Sequence, residues 1–372
     1  MSARITSLVV IPIEIPLRRP FVTARRATTH AENVFVRVRL SDGTEGWGEA
    51  SPAPYVTGED SAAVQEAVAA AARVLHGLHA GRWACCHELL LDTIPHAPTS
   101  RSAIEFALAD ARARQDRRPL WQVLGGARRC IVSDLTIPIC PPEEAAEEAA
   151  RAVSLGFRHL KVKVGGGNLD EDEARVRAIA ARAPGCRLRV DANQAFDPEA
   201  ALSFVDRLRA AAVELQILEQ PVPKEAWDAL AYITRHSPVP VIADESVRTP
   251  ADAMRVARMD AAHGINVKLA KSGLSDSLKI VAIAQSAGLD LMLGCMMESD
   301  WGIGAAVHFA CGTGAFRYLD LDSHLLIGLD PPFAGFRQRG EVLSVVGADA
   351  FPPAPAVCTP ATAPAPEGAG AV

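Results

Sequence analysis

HLKVKV (159–164), LRVDANQ (188–194), ILEQP (217–221), VIADES (241–246) and INVKLAK (265–271) are short apolar runs, each carrying a charged residue near its end. Those residues, Lys163, Asp191, Glu219, Asp244 and Lys268, follow one another at intervals of 28, 28, 25 and 24 residues. A strand, a loop, a helix of three or four turns and a return loop consume about that much chain. Side chains alternate across a strand, so Leu160, Val162 and Val164 share one face of the first run. His159, Lys161 and Lys163 take the other. The same alternation sets Arg189, Asp191 and Asn193 against Val190 and Ala192, and Ile242, Asp244 and Ser246 against Val241 and Ala243. Asn266 and Lys268 share a face, as do Asp320 and Asp322.

The pattern extends in both directions. Strands are expected near 130–139, 157–164, 186–193, 215–220, 240–245, 264–269, 290–296 and 316–322, separated by seven helical stretches. Gly156, Gly185 and Gly288 stand where helices commonly stop. Eight strands alternating evenly with helices favour a closed parallel barrel, apolar faces outward to the helices and charged faces inward. Residues 1–125 differ in texture and form a separate domain. ITSLVVIPIEIPL and NVFVRVRL read as strands, SDGTEGWGEA as a hairpin on Asp42-Gly43, and 61–79, 83–93 and 100–117 as helices, the last capped by Ser100. The barrel occupies 126–323, and a mixed segment, 324–351, is expected to return to the first domain. The Pro/Ala-rich end, 352–372, reads as a disordered tail.

Bulk properties exclude several function classes. A 372-residue chain with 49% hydrophobic and 22% charged residues has the composition expected of a soluble globular protein. A net charge of −6 gives no footprint for nucleic acid or an anionic membrane surface. No apolar stretch is long enough for a membrane span, and MSARITSLVVIPIEIP reads as a strand, not a signal peptide. Eight scattered cysteines without a CxxC point to reduced thiols in the cytoplasm. The histidines, His159, His308 and His324 among them, fall in no metal-ligand spacing and read as structural. GGG at 165–167 has no GK[ST] after it and reads as a turn.

Charges directed into a barrel lumen are costly unless paired or metal-bound. Asp191, Glu219 and Asp244 would repel one another there, and a hard divalent cation such as Mg²⁺ relieves that. A substrate carboxylate held by the ion and Lys161 has its adjacent C–H acidified. Lys163 and Lys268 arrive from the second and sixth strands, on opposite sides of the site. One removes a proton from one face while the other delivers a proton to the opposite face, and that geometry inverts a stereocentre.

With these motifs the chain resembles the enolase superfamily, muconate-lactonizing-enzyme subgroup, over nearly everything but the tail. The resemblance implies a (β/α)₇β modified TIM barrel with an α+β capping domain. Lys161-Val162-Lys163 matches the subgroup's KxK motif, and Asp191, Glu219 and Asp244 match its metal ligands. Lys268 matches its opposing lysine, within the KxxK run ending at Lys271. Where the family has a glycine pair after KxxK, this chain has Ser272-Gly273-Leu274, which puts the loop after the sixth strand in question.

Within the subgroup the chain is most similar to dipeptide epimerases of the L-Ala-D/L-Glu kind. RYLDLDSHLL (317–326) carries Asp320 and Asp322, where that family holds the substrate's α-ammonium. LMLGCMMES (291–299) is similar to its seventh-strand segment, which sets Cys295 and Met297 at the substrate and offers no basic histidine. RRPFVTARRATTH (18–30) resembles the loop that closes over the substrate, with Arg26 where an arginine meets a glutamate side chain; Arg25 is the alternative to it, and a pair of solvated loop charges is the competing reading. Thr136, ending the first strand, is expected to touch the peptide. Muconate cycloisomerase, o-succinylbenzoate synthase and N-acylamino-acid racemase share the scaffold, but none of their substrates has a free ammonium for the aspartate pair. The expectation is therefore an Mg²⁺-dependent isomerase acting on a small dipeptide from murein turnover, with no nucleic-acid or membrane partner, assembled as a homo-oligomer.

Overall fold

The computed structural model describes residues 3–327 and 335–346. The first domain opens with an antiparallel sheet of β1 (Ile5–Val22), β2 (Ala27–Leu40) and β3 (Glu45–Ala50), in that order. The expected hairpin turn joins β2 to β3. Gly43 has φ 86°, which suits glycine, and its N–H donates to the Leu40 carbonyl at 2.9 Å. Three helices follow: α1 (Ser61–Leu75), α2 (Trp83–Thr93) and α3 (Pro98–Gln115). α3 lies so close on β3 that a Cβ on Gly48 would stand 2.0 Å from the Ala103 carbonyl oxygen.

Ser100 does not cap α3. Pro98 takes the first helical position, where its missing N–H costs nothing, and Ala97 holds the cap position. The free N–H groups of Thr99 and Ser100 go instead to Glu59, at 2.7 and 3.0 Å. This buried carboxylate arrives from outside the helix and does the cap's work.

After α4 (Leu120–Val123) and β4 (Cys130–Val132) the chain alternates without exception. In order come β5 (Leu135–Ile137), α5 (Pro142–Ser154), β6 (His159–Lys163), α6 (Leu169–Arg182), β7 (Arg187–Asp191) and α7 (Pro198–Ala210). Then follow β8 (Leu215–Glu219), α8 (Trp227–His236), β9 (Val241–Ala243), α9 (Pro250–Met259) and β10 (Gly264–Lys268). α10 (Leu269–Ser286), β11 (Asp290–Gly294), α11 (Asp300–Thr313) and β12 (Tyr318–Asp320) complete the series. β5 to β12 pair in sequence as one parallel sheet. The Asp134 N–H donates to the Leu319 carbonyl at 3.0 Å, joining the first strand to the last. This is the (β/α)₇β barrel.

Leu160, Val162, Val190, Leu218, Val241, Ala243, Ile265 and Val267 are all buried outward, in one core with the helices. Inside the barrel, Ile217, Ile242, Met292 and Tyr318 form a small apolar plug. A fully buried side chain of that size is worth ~1.5–3 kcal/mol, so the two layers together are a firm base for the charges above the plug.

The expected first strand, 130–139, divides. Residues 135–137 pair with β6, whereas 130–132 pair with β14 (Val342–Val345) in a separate antiparallel sheet. That sheet is completed by β13 (Phe336–Arg339), and the division falls at the polar pair Ser133-Asp134. After β12, α12 (Ser323–Leu326) leads to Ile327, which bridges Leu17 of β1. The return to the first domain is thus made at Ile327, while the hairpin beyond it pairs with β4. The expected tail, 352–372, lies outside the described residues. No described helix is long and apolar enough to cross a membrane, and all seven described cysteines are free.

Candidate active site

Asp191 ends β7, Glu219 ends β8, and Asp244 stands one residue past β9. Their carboxylate oxygens lie within 4.8 Å of one another, and all three residues are buried. Lys163, on β6, places its Nζ 2.6 Å from Asp191 Oδ2. Lys268, ending β10, places its Nζ 2.8 Å from Asp244 Oδ2. β6 and β10 are four places apart in the eight-stranded order, so the two ammonium groups approach the acidic cluster from opposed walls. Lys161 is fully buried and lies 3.1 Å from Asp191, 2.8 Å from Glu219 and 2.7 Å from Asp320.

Burial drives the Glu219 carboxyl up to about 8, and the neighbouring charge of Asp191 adds to this. Burial also acts to raise Asp191 and Asp244, but Lys161 and Lys163 hold the first below the usual carboxylate range. Lys268 and Lys271 do the same for the second. Burial presses the Lys268 ammonium down, yet Asp244, Glu219 and Glu245 together outweigh it and keep that group above the ordinary lysine range. Glu219 Oε2 and Asp244 Oδ2 are buried without an aligned hydrogen bond. Three convergent buried carboxylates, two of them with an inward oxygen that lacks an aligned hydrogen bond, are a donor set for a hard divalent cation, and the residues fit one.

A cleft of about 1080 Å³ opens between the barrel mouth and the first domain. Lys163, Lys268, Asp244, Thr136, Asp320, Asp322, Cys295 and Met297 line it from the barrel, and Arg26 and Tyr55 from the cap. Lys161, Asp191 and Glu219 are buried beyond this lining. Thr136 grips the aspartate pair: its N–H donates to Asp322 at 2.6 Å and its hydroxyl to Asp320 at 3.1 Å. Burial and then Asp320 push the Asp322 carboxyl up to about 6. Burial likewise raises the Cys295 thiol, followed by Asp320, so it stays neutral. Arg26 stacks its guanidinium 4.7 Å from the centre of the Tyr55 ring, and its Nε donates to Thr28 at 2.9 Å. Arg25 is spent differently, on the Asn193 and Gln194 carbonyls at 3.2 and 3.3 Å.

His159, His308 and His324 stand apart from the cleft. His159 pairs with Glu341, and burial lowers His308 and His324 to about 4. The Ser272-Gly273 departure is harmless to the backbone. Gly273 has φ 76°, and Ser272 donates its hydroxyl to the Arg248 carbonyl.

Sequence reasoning missed Tyr55, Glu245 and Gln220. Glu245 lines the cleft beside Asp244, and burial followed by Asp244 raises its carboxyl. Gln220 Oε1 accepts from the Asp244 N–H at 2.8 Å, fixing the loop that carries the third carboxylate. Both adjoin residues that were identified, and adjacency was the available signal. Tyr55, in a cap loop, offered none.

Residues 5–125 match the family described as mandelate racemase / muconate lactonizing enzyme, N-terminal domain, and residues 144–333 match enolase C-terminal domain-like. An L-Ala-D/L-Glu epimerase of Thermotoga maritima is 38% identical over 90% of this chain and 98% of its own. An aromatic dipeptide epimerase of Herpetosiphon aurantiacus is 37% identical over 93% of this chain and 97% of its own. The solved substrate-liganded L-Ala-D/L-Glu epimerase of Bacillus subtilis superposes with a TM-score of 0.90 at 33% identity, covering 92% of this chain and 97% of that one. With the barrel, the acidic cluster and the opposed lysines in place, the chain belongs to the mandelate racemase / muconate lactonizing enzyme family of the enolase superfamily, as an isomerase in the branch that holds the dipeptide epimerases.

Proposed function

We propose that the chain is an Mg²⁺-dependent L-Ala-D/L-Glu epimerase that inverts the α-carbon of the C-terminal residue by two-base 1,1-proton transfer. The observation that carries this reading is the pair of lysines, Lys163 and Lys268, facing one acidic cluster from β6 and β10. Asp320 and Asp322, held by Thr136, offer two carboxylates to the dipeptide's ammonium. That contact sets the substrate's N-terminus against β12 and its C-terminal carboxylate toward Lys161 and the triad. A divalent cation held by Asp191, Glu219 and Asp244 supplies Lewis acidity toward that carboxylate and offsets the triad's excess negative charge.

One lysine, in its neutral form, takes the α-proton as the C–H bond breaks, and the electron pair moves into the carboxylate. The other, as an ammonium, gives a proton to the opposite face and the new C–H bond forms. The reverse reaction exchanges the roles. Arg26, from the cap, meets the glutamate side-chain carboxylate, and Cys295 and Met297 line the same cleft from the barrel. Peptides released from murein in the cytoplasm are the setting in which such a dipeptide arises.

The test is turnover of L-Ala-L-Glu and L-Ala-D-Glu in D₂O with Mg²⁺. Product should carry one deuterium at the glutamate α-carbon, and Lys163→Ala and Lys268→Ala should each abolish epimerisation. A surviving rate in Lys268→Ala refutes the two-base scheme, and full activity in EDTA refutes the metal.

A further inference from the structure

Each carboxylate of the triad has one oxygen turned toward a lysine of the site and the other held from elsewhere. Asp191 Oδ1 accepts from the Asn193 N–H at 2.9 Å. Glu219 Oε1 accepts from Asn266 Nδ2 at 2.7 Å. Asp244 Oδ1 accepts from Lys271 Nζ at 2.5 Å. The first two holders are neutral, and the third is a whole positive charge.

Lys271 is not part of the cleft lining, and its side chain has no exposed surface. A buried ammonium is costly unless each of its three N–H groups finds an acceptor. Lys271 meets that condition with the Asp244 carboxylate, the Asp244 carbonyl at 2.5 Å and the Asn266 carbonyl at 3.0 Å. It therefore ties the loop after β9 to β10 while gripping the carboxylate between them. On the other side of that carboxylate, Oδ2 has Lys268 Nζ at 2.8 Å.

We propose that Lys271 is a positioning residue of the metal site: its ammonium turns the Asp244 carboxylate so that Oδ2 faces Glu219 and Asp191, and it touches neither substrate nor ion. The inference rests on the metal reading given above. A simple tether between the β9 loop and the first turn of α10 would use the same contacts, and the two roles differ in what metal does for a variant.

The experiment uses the full chain and Lys271→Met, which keeps the stem and removes the charge and donors. Mn²⁺ uptake is followed by the electron paramagnetic resonance signal of the free ion, and epimerisation is measured against Mg²⁺ concentration. Loss of an outer partner of a metal ligand commonly weakens metal affinity ~10–100-fold. The expected result is a loss of that size in Mn²⁺ affinity, an equal rise in half-saturating Mg²⁺, and recovery of most of the rate at high Mg²⁺. Unchanged Mn²⁺ affinity, or a rate loss that added Mg²⁺ leaves in place, overturns the proposal. Wild-type protein that takes up no Mn²⁺ overturns the metal reading and the proposal with it. If Lys271→Met does not fold, Lys271→Gln, whose amide still donates, is measured in the same way against the same outcomes.

Discussion

Substrate charge selectivity should reside in Arg26 and not in Arg25, although the two are adjacent. Arg26 has its Nε on Thr28 and its flat face on Tyr55, and its Nη groups make no hydrogen bond among the described residues. They are free to take a carboxylate. A hydrogen bond to a charged group is worth ~1.5–3 kcal/mol, and the exposure of Arg26 sets this one at the lower end. At ~1.4 kcal/mol per decade, Arg26→Ala should lower kcat/KM for L-Ala-L-Glu roughly 10–30-fold. For L-Ala-L-Leu the change should stay within about threefold, since no charge is lost from that complex. Arg25 ties the cap loop to carbonyls after β7, so Arg25→Ala should slow both substrates alike. Tyr55→Ala removes a stacking contact of ~0.5–1 kcal/mol and should cost the glutamate substrate a few-fold. The assay is polarimetric rate measurement on both dipeptides for all three variants. An equal fall on both dipeptides in Arg26→Ala, or no fall on either, refutes the assignment.

Asp320→Asn or Asp322→Asn should lower kcat/KM for the free dipeptide roughly 10–100-fold, the worth of a partly buried ammonium–carboxylate contact, and less for an N-acetylated dipeptide, as parallel rate measurements would show. Mg²⁺ at one hundred times its Kd should raise unfolding free energy by about 2.7 kcal/mol, seen as a higher Tm than in EDTA; equal melting curves would count against a metal site. His87 joins α2 to Glu105 of α3 and to Asp276 of α10, and Asp276 and then Glu105 raise it to about 9. Its folded value lies above its unfolded one, so the contribution, ~1–2 kcal/mol after discounting for solvent, is full below pH 6.5 and lost as pH rises through about 9. His87→Gln should flatten that part of the Tm–pH curve, and an unchanged slope would refute the clamp.

What the sequence disclosed, it disclosed through exceptions to a period. A lysine on the inward face of HLKVKV, or an acid ending LRVD, breaks an apolar run at a position where burial is costly, so the fold must supply a partner. Five such breaks in step are readable without coordinates. The capping of α3 was not, because Glu59 lies well before the helix it serves and Pro98 had already displaced Ser100 from the cap position. The division of residues 130–139 was not, because one extended run has the same local pattern whichever sheet accepts it, and the choice is made by strands far away in sequence. Lys271 is the sharpest case. Three residues beyond Lys268, it closes the KxxK run, and spacing alone gives it no partner. Its side chain instead reaches Asp244, 27 positions earlier in the chain. Residue type and spacing therefore pick out the charged groups that interrupt a strand and gather at the barrel mouth. A group proposed to hold one of them in place, Lys271, carries the same kind of charge, and its buried partner shows only in the structure.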